Sequence, residues 1–157
     1  MSVSPIPDGY HSITPYLIVK EAAKAIDFYK RAMGATEVLV LDGPGGTIMH
    51  AEIKIGDSHV MLADEFPDMN ILAPQNPGNC GVGICLYVPN VDEAVATAID
   101  AGCQVQRPLE DQFYGDRSAT LEDPFGHRWT ISTHIEDVSH DEIRERMQQM
   151  MGGPPEA

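Results

Sequence analysis

The sequence predicts an α+β fold. Two βαβββ modules are expected, and a C-terminal helix follows. Three observations carry this prediction. Apolar residues at helical spacing are bracketed by short runs with strand alternation. The same order of elements occurs twice. The two occurrences also align at a nearly constant shift: Val19 with Val88 and Ile26 with Val95 at 69 residues, and Gly34 with Gly102, Ala51 with Ala119 and His59 with His127 at 68. Such regular self-similarity is the mark of a duplicated supersecondary unit.

The first element is the apolar run Ile13–Val19. Pro15 lacks an N–H donor and so suits a strand edge or start. Ala22, Ala25, Ile26, Tyr29 and Met33 then fall on one helical stripe, which Gly34 terminates. Strand signals follow at Thr36–Leu41, at Thr47–Ile55 after the turn Asp42-Gly43-Pro44-Gly45-Gly46, and at Ser58–Ala63 after Gly56-Asp57. In the second module Val82–Val88 is a strand and Asn90 an N-cap. Val91, Ala94, Val95 and Ala98 form the helical stripe, which ends near Gly102. Strands at Gln104–Leu109, Arg117–Glu122 and His127–His134 complete it, the last two joined by the turn Asp123-Pro124-Phe125-Gly126.

The expected organisation is a single domain over 10–135, with module one at 10–63, a linker at 64–81 and module two at 82–135. The linker holds Pro67, Pro74, Pro77 and Gly78 and is long for a compact domain; loops of that length are usually functional or mobile. Residues 136–157 are expected as a helix opened by the capping box Ser139-His140-Asp141-Glu142, ending near Met150, then a frayed tail from Gly152. Met147, Met150 and Met151 form a soft apolar face on that helix, suited to covering the sheet or a partner subunit.

Composition narrows the function classes. The 157 residues carry 24 acidic and 10 basic side chains, a formal net charge of −14. Such a chain repels phosphate backbones and anionic lipid, so neither nucleic acid nor a membrane surface is expected as partner. No basic and apolar leader opens the sequence and no apolar run is long enough for a bilayer, so the expected location is the cytoplasm. The odd cysteine count, Cys80, Cys85 and Cys103, fits reduced thiols there.

Specific segments resemble a known family. Ala25-Ile26-Asp27-Phe28-Tyr29 with Gly34-Ala35, and Glu122-Asp123-Pro124-Phe125-Gly126-His127, resemble the first helix and the last hairpin of the vicinal oxygen chelate superfamily, the glyoxalase/bleomycin resistance/dioxygenase fold. His50-Ala51-Glu52-Ile53-Lys54-Ile55-Gly56-Asp57-Ser58 and Met61-Leu62-Ala63-Asp64-Glu65 resemble its PhnB-like branch more narrowly. The resemblance implies that the two modules form a curved mixed sheet around a ligand cavity, a homodimer and, in metal-dependent members, four ligands on cavity-facing strand positions. Carried over, those positions are Thr14, Met61 or Leu62, Gly83 and Thr130. A thioether, two hydroxyls and a glycine do not replace imidazole and carboxylate for a divalent cation. The expectation is therefore no metal and no cofactor, with Thr14 and Thr130 left as ligand-lining residues.

Other polar residues are read directly. His50 and Glu52, two apart on a strand, point to one face: either a cavity-lining pair with Glu52 as base, or a solvent-facing stripe. In Gln112-Phe113-Tyr114-Gly115-Asp116-Arg117, Arg117 can fork onto an anionic ligand, while Phe113 and Tyr114 can stack on a planar one. Alternatively Arg117 pairs with Asp111, Asp116 or Glu122. Trp129 and Ile131 alternate with Arg128, Thr130 and Ser132, so one set packs under the helices and the other faces the cavity.

Three functional readings follow. The first is a metal-free small-molecule-binding protein that sequesters a drug or metabolite. The second is a metal-independent enzyme using general acid–base chemistry at His50, Glu52, Tyr114 or Arg117. The third is a divergent metal-dependent lyase or dioxygenase with relocated ligands.

Overall fold

The computed structural model describes residues 2–152. Each module is a four-stranded mixed sheet with a helix on one face. In module one β1 (Tyr16–Val19), β2 (Thr36–Asp42), β3 (Ile48–Ile55) and β4 (Ser58–Asp64) are ordered β1-β4-β3-β2, with α1 (Ala22–Met33) as the crossover. In module two β5 (Gly83–Tyr87), β6 (Gln104–Asp111), β7 (Asp116–Glu122) and β8 (Arg128–His134) are ordered β5-β8-β7-β6, with α2 (Val91–Ala101). The first and last strands of each module pair in parallel and the rest antiparallel.

The repeat extends to register. The row Leu17–Leu62–Ala51 across β1, β4 and β3 is matched by Leu86–Ile131–Ala119 across β5, β8 and β7. In both modules the outer strand, β2 or β6, pairs with register shifts that bend the sheet away from flatness. Gly34 ends α1 in the left-handed region at φ 66°, and the Asn90 side chain caps α2 by accepting from the Glu93 N–H.

Differences from expectation are local. β1 starts at Tyr16 rather than Ile13 because Pro15 contributes only its carbonyl, which accepts from the Met61 N–H at 2.9 Å. β4 runs on to Asp64, a residue expected in the linker. Its buried carboxylate accepts from Ala22 N–H (3.0 Å) and Ile48 N–H (2.8 Å), capping the uncapped start of α1 from another strand. The linker is tied down: Phe66 pairs with Ile71, Ala73 is buried, and Gly78 N–H donates to Gly126 O.

The modules share one core. Leu17, Val19, Ala51, Ile53 and Leu62 face α1, and Ala119, Leu121, Trp129 and Ile131 face the helical side of the second sheet. Tyr29 on α1 crosses over to Trp129 on β8 (ring centroids 5.6 Å), and Phe28 meets Phe125 (5.8 Å). Asp123 locks this junction. One oxygen accepts from Tyr29 O–H (2.5 Å) and Trp129 Nε1–H (2.9 Å), the other from the Phe125 and His127 N–H groups. Four donors around one buried carboxylate leave it fully satisfied without a counter-cation.

The C-terminal helix α3 (His140–Met151) has no buried residue, and Met147, Met150 and Met151 are exposed rather than laid on either sheet. Ser139 accepts from the Glu142 N–H, but the Glu142 carboxylate turns to Arg146 instead of completing the capping box. Arg146 also reaches Glu136 and the Phe113 carbonyl, so it tethers α3 to the β6–β7 turn. There Gly115, at φ 99°, brings its carbonyl to both Ile135 N–H and Glu136 N–H. A Cβ at Gly115 would stand 2.2 Å from the Glu136 oxygen. Of the tail expected to fray, Gly152 donates its N–H to the Gln148 carbonyl at 2.7 Å, and 153–157 lie outside the described residues.

Candidate functional site: a cleft between the modules

Each sheet turns one face to the helices and leaves the other open. On sheet one the open face carries Tyr16 and Ile18 from β1, His59 and Met61 from β4, and His50 and Glu52 from β3. The β1 edge looks toward module two, where His127 Nε2 meets the Ile18 carbonyl at 3.0 Å.

Two cavities flank this seam. The larger, about 580 Å³, opens along β1 and is walled by residues of the linker from Leu72 to Cys80 and by Val82, with Ile84, His127 and Arg128 behind it. The other, about 460 Å³, lies between residues 11–15, the β3–β4 hairpin and β5. Both fall in the size range of small-molecule sites.

A hydrogen-bonded chain connects them. Tyr16, which lines the larger cavity, bonds His50 Nδ1 at 2.8 Å, and His50 Nε2 meets Glu52 Oε1 at 3.0 Å. The Tyr10 hydroxyl bonds the other Glu52 oxygen, and the Tyr10 ring stacks on His59, a wall of the second cavity, at 3.9 Å. The network is complete when Tyr16 O–H donates to Nδ1 and Nε2–H donates to Glu52. The Tyr10 hydroxyl, then His50, hold the Glu52 carboxyl below its usual range. The Tyr10 hydroxyl is pushed up to about 12 by the same bond. Glu52 is thus a stabilised carboxylate with both oxygens engaged, a poor proton acceptor at neutral pH.

A second cluster lies on sheet two. The Asp116 carboxylate, itself buried, accepts from Tyr87 O–H at 2.6 Å and from His134 Nδ1 at 2.8 Å, while His134 Nε2 meets Asp137 at 2.8 Å. Hydrogen bonds to Asp116 and then Asp137 raise the His134 pKa, and the bond to Asp116 pushes Tyr87 up to about 12.

The candidates read from sequence are dispersed. His50 and Glu52 form the centre of the sheet-one network, and Thr14 lines the second cavity with His59, Cys85 and Tyr87. Thr130 shares a hydroxyl–hydroxyl bond with Thr120 at 3.1 Å. Phe113 and Tyr114 stack edge to face in the β6–β7 turn (5.3 Å), where the Phe113 carbonyl receives Arg146. Arg117 forks onto Asp92 at the start of α2 (3.1 and 3.0 Å) and reaches Asp111 (3.0 Å). Of the acidic partners named for it, Asp111 is the one it meets.

Sequence reasoning missed Tyr10, Tyr16 and Asp116. Tyr10 sits in an irregular arm with no periodicity to read. Tyr16 shares strand alternation with Ile18 and was legible in principle. Trp129 and Ile131 do pack under the helices, and Arg128 of the alternate set lines the larger cavity.

The family model for the Glyoxalase/Bleomycin resistance protein/Dioxygenase superfamily matches residues 9–131. The chain belongs to this superfamily. Uncharacterized proteins of Mycobacterium bovis and Mycobacterium tuberculosis are 39% identical over 145 residues, spanning 90% of this chain and 95% and 85% of theirs. Among solved structures, protein PA1353 of Pseudomonas aeruginosa is 26% identical with TM-score 0.65, covering 80% of this chain and 99% of that one. TioX of Micromonospora sp. ML1 is 24% identical with TM-score 0.63 at the same coverage. FosX of Listeria monocytogenes, solved with Mn(II) and sulfate, is 16% identical with TM-score 0.61, covering 87% and 97%. The PhnB protein of Bacillus cereus shares the fold at 20% identity and TM-score 0.60, covering 78% and 99%.

The resemblance carries the superfamily's metal-holding positions onto Thr14, Met61 or Leu62, Gly83 and Thr130. Leu62, the alternative to Met61, is fully buried toward α1. Glycine offers no donor, and hydroxyls with a thioether do not match the needs of a divalent cation, so these residues do not fit the metal. Among the described residues no three His, Cys, Asp or Glu side chains converge as a metal-binding group. No helix among them is long and apolar enough to cross a membrane.

Proposed function

We propose that this chain is a metal-independent small-molecule-binding member of its superfamily, which holds a drug or metabolite in the cleft beside β1. The observation that carries the reading is the contrast at the seam. The positions that the resemblance gives to a metal carry Thr14, Met61 or Leu62, Gly83 and Thr130, yet cavities of about 580 and 460 Å³ lie along the seam, the smaller lined by Thr14. Binding needs only shape, apolar walls and a few polar anchors, all of which are present.

The second reading is acid–base catalysis by His50 and Glu52. The Tyr16–His50–Glu52–Tyr10 chain favours it as a proton path, and the lowered Glu52 pKa weighs against it. One experiment separates the two. A library of planar aromatic and glycopeptide ligands is presented to the apo protein while thermal shift and turnover are followed together. Ligands that raise Tm without being consumed, unaffected by Glu52→Ala, support binding; turnover abolished by Glu52→Ala supports catalysis.

The proposal includes a homodimer acting in the cytoplasm. Tyr16, Leu39 and Leu41 on sheet one, with Tyr87 and Val105 on sheet two, are exposed apolar side chains of the kind a second copy covers. Light scattering is expected to give twice the 17.1 kDa chain mass, and a value of 17 kDa at micromolar concentration overturns the dimer.

A further inference from the structure

The charge around the larger cavity differs from the charge of the chain. The protein carries 24 acidic residues, yet no Asp or Glu lines this cavity, and Arg128 and His127 are the basic side chains that do. Five other Lys and Arg side chains are engaged, Lys24 by Glu21 among them. Arg117 is held by Asp92 and Asp111, Arg146 by Glu136 and Glu142, Arg144 by Asp141, and Lys30 by Glu37. Among the described residues no carboxylate stands within ion-pair distance of Arg128, although it lies across the ladder from Glu122. His127 already spends Nε2 on the Ile18 carbonyl.

Position explains why Arg128 is available. It opens β8 in the alternate set to Trp129, so the pleat turns it away from the core. Its neighbour across the parallel pair is Gly83, whose missing side chain leaves room for the stem; the Arg128 Cδ lies 4.0 Å from where a Gly83 Cβ would stand. The rest of the wall is apolar, with Ile18, Leu72, Pro74 and Ile84, together with the neutral amides of Gln75 and Asn76. An arginine on an acid-free, mostly apolar wall favours a ligand with an apolar body and one anionic group, such as a carboxylate. In water such a contact is weak; beside apolar walls of lower polarity it strengthens.

We propose that the β1 cavity selects aromatic monocarboxylates, with the carboxylate on Arg128 and the ring against Ile18, Leu72, Pro74 and Ile84. This rests on the small-molecule-binding reading and narrows it to an anion class. The assignment also moves the anion-recognising role from Arg117 to Arg128, because Arg117 already meets two carboxylates.

The test uses two ligands of one shape, 2-naphthoate and 2-naphthamide, titrated into the full chain and followed by amide NMR shifts. The wild type is expected to bind the carboxylate at least tenfold tighter, with the largest shifts at Ile18, Gln75 and Ile84. Arg128→Gln removes the preference, Arg128→Lys keeps part of it, and Arg107→Gln on exposed β6 leaves it whole. Equal affinity of the wild type for both ligands overturns the anion class while leaving small-molecule binding intact. Shifts confined to other surfaces, or none at millimolar ligand, overturn the site itself. The aromatic and glycopeptide screen then shows independently whether the binding reading falls with it.

Discussion

The two modules carry the same pattern of elements, and each open face has a carboxylate flanked by tyrosine and histidine, yet the clusters are wired differently. On sheet one His50 lies between a hydroxyl, Tyr16, and a carboxylate, Glu52, so one ring proton satisfies it. On sheet two His134 lies between two carboxylates, Asp116 and Asp137, and both nitrogens must donate. The difference teaches that duplication preserves backbone register, while the charge state of a side chain follows from the neighbours it acquires. The modules differ likewise in their buried carboxylates. Asp64 serves two backbone donors within module one, whereas Asp123 gathers four donors, one of them Tyr29 from the other module.

Mutation of these carboxylates breaks the comparison most severely. Asp123→Ala leaves two buried and two half-buried donors without an acceptor and is expected to cost about 4 kcal/mol or more, while Asp64→Ala, with two buried donors, costs about 2 to 4. Denaturant unfolding checks the order, and equal losses would show that the inter-module bonds are dispensable. Gly115→Ala comes next, at about 2 to 3 kcal/mol, because a left-handed φ and a backbone clash act together. Its Tm is the readout. Arg117→Gln is expected to leave the denaturation midpoint nearly unchanged, since Asp92 and Asp111 are exposed partners.

The smallest effects are in pH dependence, and they have opposite signs. The raised pKa of His134 means its bonds stabilise fully below the ordinary value of 6.5 and fade as pH rises through the higher folded midpoint. The lowered pKa of Glu52 means its bonds stabilise above the ordinary carboxylate value of 4.5 and fade only as pH falls through the folded midpoint. Ring-proton NMR is expected to place the His134 titration above 6.5. Carboxylate-carbon NMR should place that of Glu52 below 4.5, with Tyr10 signals changing in the same step.

The fold was legible because its signals are periodic and repeated. Ala22 to Met33 at helical spacing, Gly34 and Gly102 as stops, Asn90 as a cap and the 68–69 shift each constrain backbone, and the backbone obeys them. Element ends moved by one to three residues where a single group decided, as at Pro15. The site was legible only in pairs. His50 and Glu52 could be placed on one face by alternation, but Tyr10 reaches Glu52 from an arm 42 residues earlier, a contact no local pattern encodes. Arg117 and Arg128 show the same limit. Both stand on strands of module two, and only the tertiary placement of Asp92, Asp111 and Gly83 tells the occupied fork from the available one.

A duplicated chain invites division into interchangeable halves, and the Tyr29–Asp123 bond argues against it. Either module expressed alone would expose half of a joint: module one an aromatic ring and hydroxyl with nothing to close on, module two a buried carboxylate short of a donor. The ancestral symmetry survives as geometry, but the two copies have become mutually dependent. Cutting and recombining this protein at its linker is therefore expected to yield halves that are soluble only in each other's company.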